Sequence, residues 1–403
     1  MENKLPQGWE VKKLGEVCRF INGRAYKKDE LLSKGKYPVL RVGNFFTNQN
    51  WYHSNLELNE DKYCNKGDLL YAWSASFGPR IWEGNKVIYH YHIWKLEPQY
   101  KQINKYFLYY FLESDVEKIK SEQGAGTTMV HVSKGSIEKR LLPIPPLPEQ
   151  KRIVAILDEA FEAIDKVKAN TRANLQNARE LFQSYLQSVF ENKGDDWEVK
   201  KLVNSVDSAC SLSYGIVQPG EEVTGGLPII RPTDLKTKYI DLTNLKRINP
   251  RIGDSYKRTL LDGTELLLCV RGTTGLVSLS TEDIKGANVT RGIVPIRFEP
   301  SSITQDFGYY ILISGYVQEQ IKLKTYGAAL MQINIRDVKN IFVKFPTLPE
   351  QKRIVEKLDQ LSEQTKRLEV IYQQKLDDLD ELKQSILQKA FTGELSKTQR
   401  LAA

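Results

Sequence analysis

The 403-residue sequence has only four histidines, four cysteines and three methionines, and no long apolar run. Its opening, MENKLPQGWEVKKL, lacks an apolar stretch of signal-peptide length, and nothing further along approaches a membrane span. Cys18, Cys64, Cys210 and Cys269 lie far apart with no C-x-x-C pair. That spacing supports neither a zinc site nor a disulfide framework; buried reduced thiols in a cytoplasmic protein are expected. There is no G-x-x-x-x-G-K-[ST] loop and no G-x-G-x-x-G after a strand. Phosphate-cradling enzymes of both kinds are therefore unsupported. The D/N-P-P-Y/F motif of amino-methylating enzymes is also missing, and no other catalytic constellation is apparent.

What is present is a repeat. The octapeptide LPEQKRIV occurs at 147–154 and again at 348–355, each time at the mouth of a long helical pattern. After Pro148, apolar or small residues recur at Ile153, Leu157, Ala160, Ile164, Val167, Thr171, Leu175, Ala178, Phe182, Tyr185 and Val189. After Pro349 they recur at Ile354, Leu358, Leu361, Thr365, Leu368, Tyr372, Leu376, Leu379, Leu382, Ile386 and Ala390. Steps of three and four predict helices with one buried seam. Paired steps of four at 167–171–175 and 368–372–376 predict a stutter in each. Gly194 and Gly393 are suitable stop signals. Roughly 42 residues of helix span about 60 Å.

The segments between repeat more loosely. WEVKKL at 9–14 returns at 197–202, and YPVLRVGNF at 37–45 parallels LPIIRPTDL at 227–235. Short β-branched or aromatic runs at 38–42, 86–96, 265–270 and 292–298 are separated by Gly, Asn and Asp turn signals. Amphipathic helices are predicted near 106–120 and 307–322. The fold class is α+β: two mostly-β globular domains, 1–146 and 194–346, separated by two long antiparallel helices, 147–193 and 347–394, with a tail at 395–403. Each helix has a seam that only the other can bury, so the repeat predicts a pseudo-two-fold object with two heads on a coiled-coil spacer.

The formal charge is +8. Residues 1–146 hold 22 Lys+Arg against 16 Asp+Glu, and 192–346 hold 20 against 17, whereas both helical stretches are slightly acidic. A polyanion is therefore expected to meet the heads. Duplex DNA is the partner whose own dyads suit two reading heads. Candidate contacts in the first head are Arg24, Lys27 and Lys28 of NGRAYKK, Arg41 and Asn44, Trp73, Ser74, Ser76 and Arg80 of the stretch AWSASFGPR, and His90 and His92 of IYHYHIW. The two histidines are read on one face of a strand, as a packed or DNA-facing pair rather than a metal site. In the second head they are Tyr214, Arg231, Asp234, Arg271, Thr273, Thr274 and Arg291. Arginine offers guanine a bidentate fork, and Ser or Thr donates to phosphate or base edges. The competing readings are an ion pair within the domain for each arginine, a solvated loop for NGRAYKK and a packed turn aromatic for Tyr214.

These residues resemble one family, the specificity subunit of type I restriction–modification enzymes. The resemblance covers nearly the whole chain: LPQGWEVKKLGEVC, the two P-x-x-R segments, QGAGTTMVHVSKGSIEKRLLPIPPLPEQKRIV with its counterpart YGAALMQINIRDVKNIFVKFPTLPEQKRIV, and QSILQKAFTGEL. It implies two target-recognition domains that each read half of a bipartite asymmetric site in double-stranded DNA. It also implies two methyltransferase subunits docked on this scaffold, joined by motor-nuclease subunits for restriction. S-adenosylmethionine, ATP and Mg²⁺ would then belong to those partners, leaving this chain non-catalytic. One departure is that no short tandem repeat follows the first helix, so the gap between half-sites is unassigned. The alternatives are a coiled-coil adaptor that binds only proteins, and a methyltransferase or nuclease with motifs of another form. The basic excess in the heads favours DNA over the adaptor.

Overall fold

The computed structural model describes residues 5–74, 76–123, 131–191, 196–328 and 330–397. The MENK start, the GAGTTMV part of the family-like stretch, the Gly194 stop signal with its junction, and the tail beyond 397 lie outside the described residues. The chain divides into two compact units, Met1–Arg172 with Gln374–Ala403, and Ala173–Gln373.

In the first unit, one antiparallel sheet runs Cys18–Asn22, Ile93–Pro98, Leu69–Ala72, Gly78–Ile81 in spatial order. A second sheet runs Tyr52–Ser54, Tyr37–Leu40, Val87–Tyr89, Tyr63–Cys64, with the middle two strands parallel. The repeated E-V-K-K at Glu10–Lys13 pairs with Leu141–Ile144 just before the first long helix. Helix Lys105–Gln123 packs Phe107 and Phe111 against Phe391, in a core that also holds Leu157 and Phe161.

The second unit repeats this plan with fewer strands. One sheet runs Val277–Leu279, Leu266–Cys269, Ile293–Ile296; the other runs Lys246–Ile248, Leu227–Ile230, Asn288–Val289. Glu198–Lys201 pairs with Phe342–Phe345. The single helix predicted near 307–322 is two, Gln305–Ile313 and Gly315–Lys324. Fully buried Ser314 breaks it: its backbone is extended (ψ 149°), and its hydroxyl donates to Ile311 O.

The long helices are Leu147–Glu191 and Leu348–Thr392, 45 residues each, and each contributes to both units. Both begin one residue before their proline, whose missing N–H has no partner to lose in a first turn. Gly393, at φ +78°, follows the second. The helices are antiparallel within each unit: Lys168 pairs with Asp380 and Phe161 lies under Lys383 in the first, and Arg179 pairs with Glu369 at 3.1 Å and Tyr185 lies under Lys357 in the second. The seams differ from the predicted ones at matching places. Val167 and Leu382 are more than a third exposed while Lys168 and Lys383 beside them are shielded, and Leu368 and Glu369 are about equally half-buried. The shielded positions Leu157, Phe161, Ile164, Lys168, Thr171, Leu175, Ala178 and Phe182 alternate steps of four and three without a stutter. So do Leu358, Ser362, Thr365, Glu369, Tyr372, Leu376, Leu379, Lys383, Ile386 and Ala390. A heptad accepts these charged residues because each has an opposite charge within reach, Lys383 finding Glu113 at 2.8 Å.

The glutamine of LPEQKRIV explains why the motif is duplicated. Gln150 is fully buried; its Nε2 donates to Gln102 O and Pro145 O, both at 2.8 Å, and its Oε1 accepts from Asn104 N at 2.8 Å. Gln351 repeats the pattern with Ser302 O, Pro346 O and Thr304 N at 2.7, 2.9 and 3.0 Å. Each glutamine ties the first turn of a long helix to the loop that launches the shorter helix of its own unit.

Candidate nucleic-acid interface

In the first unit the run at 86–96 is not one strand. It leaves the second sheet at Tyr89 and enters the first at Ile93, and the crossing residues His90, Tyr91 and His92 form a turn closed by Ile93 N donating to His90 O at 2.9 Å. The expectation that both histidines share a strand face is therefore corrected. The crossing needs close backbone approach on its flank: a Cβ on Gly23 would lie 2.3 Å from Tyr89 O. Backbone bonds then gather distant segments around the turn. His90 N donates to Leu40 O, Tyr91 N to Arg24 O, Trp73 N to His92 O, and Val132 N to Trp73 O.

The side chains that meet there are mostly rings. The Trp73 centroid lies 4.8 Å from His92 and 6.1 Å from His131, His90 lies 4.8 Å from His92, and Tyr26 stacks on His90 at 6.3 Å. Burial, then His92 and Arg41, push the His90 imidazole down to about 4. Burial, then His131 and Arg41, lower His92 as well. Both rings are thus neutral near pH 7, each with one donor and one acceptor nitrogen. Arg41 lies 5.3 Å from the Tyr52 ring centroid and has no carboxylate partner among the described residues. Arg24, by contrast, is held bidentate by Glu30 at 2.7 and 2.9 Å, and so is neither a solvated loop residue nor a free phosphate contact. Lys27 and Lys28 are exposed at the turn that follows.

The second unit builds the same crossing from other residues. Thr290, Arg291 and Gly292 join Asn288–Val289 to Ile293–Ile296. Thr290 N donates to Ile230 O, Arg291 N to Ile216 O, Val270 N to Gly292 O, and Ile333 N to Val270 O. Thr290, Arg291, Gly292, Val270, Arg271 and Gln332 therefore stand where the first unit has His90, Tyr91, His92, Trp73, Ser74 and His131. Arg231 matches Arg41, yet Asp234 holds it bidentate at 3.0 and 3.1 Å.

Several other candidates serve the fold. Asn44 is buried: its Oδ1 accepts from Arg41 N at 2.7 Å and its Nδ2 donates to Val39 O. Asp234 accepts from Arg231 N in the same way at 2.8 Å. Ser74 is buried beside His131. The Tyr214 hydroxyl accepts from Ile335 N at 3.2 Å and packs on the core. Arg80 lies apart from the crossing, donating to Phe45 O and lining a hollow with Tyr106, Tyr109 and Tyr110. Ser76 and Thr273 are exposed, and Thr274 lies 3.3 Å from the Thr325 hydroxyl. Sequence reasoning missed Tyr26, Tyr91, His131 and Thr290. His131 carried a usable signal, since three of the four histidines converge here. Among the described residues no group of three or more His, Cys, Asp or Glu is placed to hold a metal, and no helix is long and apolar enough to cross a membrane.

Residues 6–177 and 195–376, one stretch from each repeat copy, match the family described as the type I restriction modification DNA specificity domain. The chain belongs to this family. It is 28% identical to the type I restriction enzyme EcoBI specificity subunit of Escherichia coli, over 97% of this chain and 87% of that one. To the MjaVIII specificity subunit of Methanocaldococcus jannaschii it is 24% identical, over 97% and 94%. A chain solved in a study of complex assembly and conformational transition of a type I R-M system superposes with a TM-score of 0.74 at 21% identity, covering 96% of this chain and 98% of that one. The HsdS subunit from Thermoanaerobacter tengcongensis gives 0.56 at 20% identity, covering 97% and 98%. At those identities the two structures bear on the fold alone. The chain is a specificity subunit of a type I restriction–modification system, a role distinct from the catalytic ones.

Proposed function

We propose that the chain binds a bipartite, asymmetric target in double-stranded DNA, with one half read by each unit. The observation that carries this reading is the duplicated crossing turn. The two copies share its backbone bonds, while the side chains presented differ at every matched position of the turn. A conserved frame with changed side chains is what two readers of different sequences require. In the first unit Arg41, Trp73, His90 and His92 supply the reading groups, with Arg24, Lys27 and Lys28 on the flank toward phosphate. In the second unit Arg271, Thr273 and Arg291 do so, with Arg231 behind them. Asn44, Ser74, Tyr214 and Asp234 position the frame, and Arg80 belongs to a separate hollow.

The long helices serve as the scaffold for two methyltransferase subunits and for restriction subunits, in the cytoplasm. S-adenosylmethionine, ATP and Mg²⁺ are held by those partners. The test is to replace residues 15–140 with the corresponding segment of a relative and read the methylated motif made with the methyltransferase partner. One half of the motif should change and the other stay as it was; a change in both halves would refute separate readers.

A further inference from the structure

We infer that the second unit recognises a guanine in the major groove through Arg271 and Arg291, and that the first unit reads its half by a different chemistry. This rests on the proposed DNA reading and adds the base and the residues that select it.

The argument begins with what occupies equivalent space. In the first unit Trp73, Tyr91 and His92 fill the crossing with rings. In the second, Val270 is buried and Gly292 has no side chain; a Cβ there would fall 2.5 Å from Pro232 Cγ. The vacated space is a hollow of about 370 Å³ lined by Arg271, Thr290 and Arg291 together with Ile216 and Pro232.

Charge comes next. Neither Arg271 nor Arg291 has an ion-pair partner among the described residues, whereas Arg231 is neutralised by Asp234 and Arg297 by Asp262 and Glu265. Unpaired guanidinium groups thus stand at different places in the two copies, on the P-x-x-R arginine in the first unit and at and beside the crossing turn in the second. Thr290 also lines the hollow, and its Oγ1, though buried, has no hydrogen-bond partner among the described residues. A concave site with two planar donor forks asks for a ligand edge rich in acceptors. Guanine presents O6 and N7 side by side on its major-groove edge, and this pair is the usual target of such a fork. A phosphate can accept the same fork; removing a guanine N7, which leaves every phosphate in place, separates the two.

The experiment uses the chain assembled with its methyltransferase partner and the target that this complex methylates. Each guanine in the half-site assigned to the second unit is replaced in turn by 7-deazaguanine, which removes only the N7 acceptor. Affinity should fall about tenfold at one guanine, in keeping with the discrimination of a bidentate contact. Arg271→Ala or Arg291→Ala should weaken binding to the unmodified target and erase that further loss. The corresponding lysine variant, which can reach the same acceptors without the planar fork, should keep part of both the affinity and the sensitivity. Specific binding with no 7-deazaguanine effect, or an effect retained in both alanine variants, would overturn the guanine assignment and leave the DNA reading standing. Absence of sequence preference in the wild-type complex would overturn both.

Discussion

Gln150 and Gln351 are the residues on which the repeated motif turns. Each is fully buried, and its amide pairs with two carbonyls and one backbone N–H that are themselves buried or part-buried. A buried group left unpaired costs about 1–3 kcal/mol. Gln150→Leu should therefore lower stability by about 1–3 kcal/mol, read as a shifted urea midpoint. Gln351→Leu should act similarly in the other unit. If either change left the midpoint in place, the glutamines would not be the fastening that their hydrogen bonds describe. The sequence made this position conspicuous, because identity over eight residues marked it, but it did not show what the amide touches. Lys168 was hidden for a related reason. A lysine reads as solvent-facing until Asp380, far along the chain, is seen to receive it, and so the neighbouring Val167 was assigned to the seam.

Among the elements, the crossing turn has the most testable electrostatics. The helices and the repeat were legible because periodicity is local. The turn was not, since every residue at 86–96 suits a strand, and only the exchange of one sheet for another breaks the run. Because His90 is held at about 4 against an ordinary value of 6.5, its neutral form belongs to the folded state. The unfolded chain binds the extra proton between those values. The stabilising effect is thus complete above about 6.5 and is lost as pH falls toward 4. DNA should act in the opposite direction on the same rings. Phosphates brought beside His90 and His92, which face His131 and Arg41 and where Glu30 is already engaged by Arg24, favour the imidazolium of those two rings. Binding by the first unit should take up protons, so affinity should rise as pH falls from about 7.5 to 5.5, and His90→Gln should flatten that slope. The second unit contains no histidine and should contribute none of it. A slope unchanged by His90→Gln would remove the imidazoles from the interface.

For the whole molecule, the long helices should set the spacing of the two half-sites. Inserting four helix-forming residues into each adds about 6 Å of rise and turns the helix about 40° beyond a full revolution. One further base pair adds roughly 35° of twist. Because a head rotated out of its groove loses all its base contacts, rotation should decide the outcome. The methylated target should keep its half-sites with a gap longer by one base pair, at somewhat reduced affinity. A three-residue insertion, which turns the helix about 60° the other way, should mostly abolish activity. Equal tolerance of both insertions with the original gap would free the helices of this role.

The most direct measurement is the methylome. Long-read sequencing of DNA from cells expressing this chain with its methyltransferase partner, against cells lacking the chain, should reveal one methylated motif made of two unlike short sequences across a fixed gap of unspecified bases. A single uninterrupted motif, or methylation unchanged by removal of the chain, would contradict two readers on one scaffold.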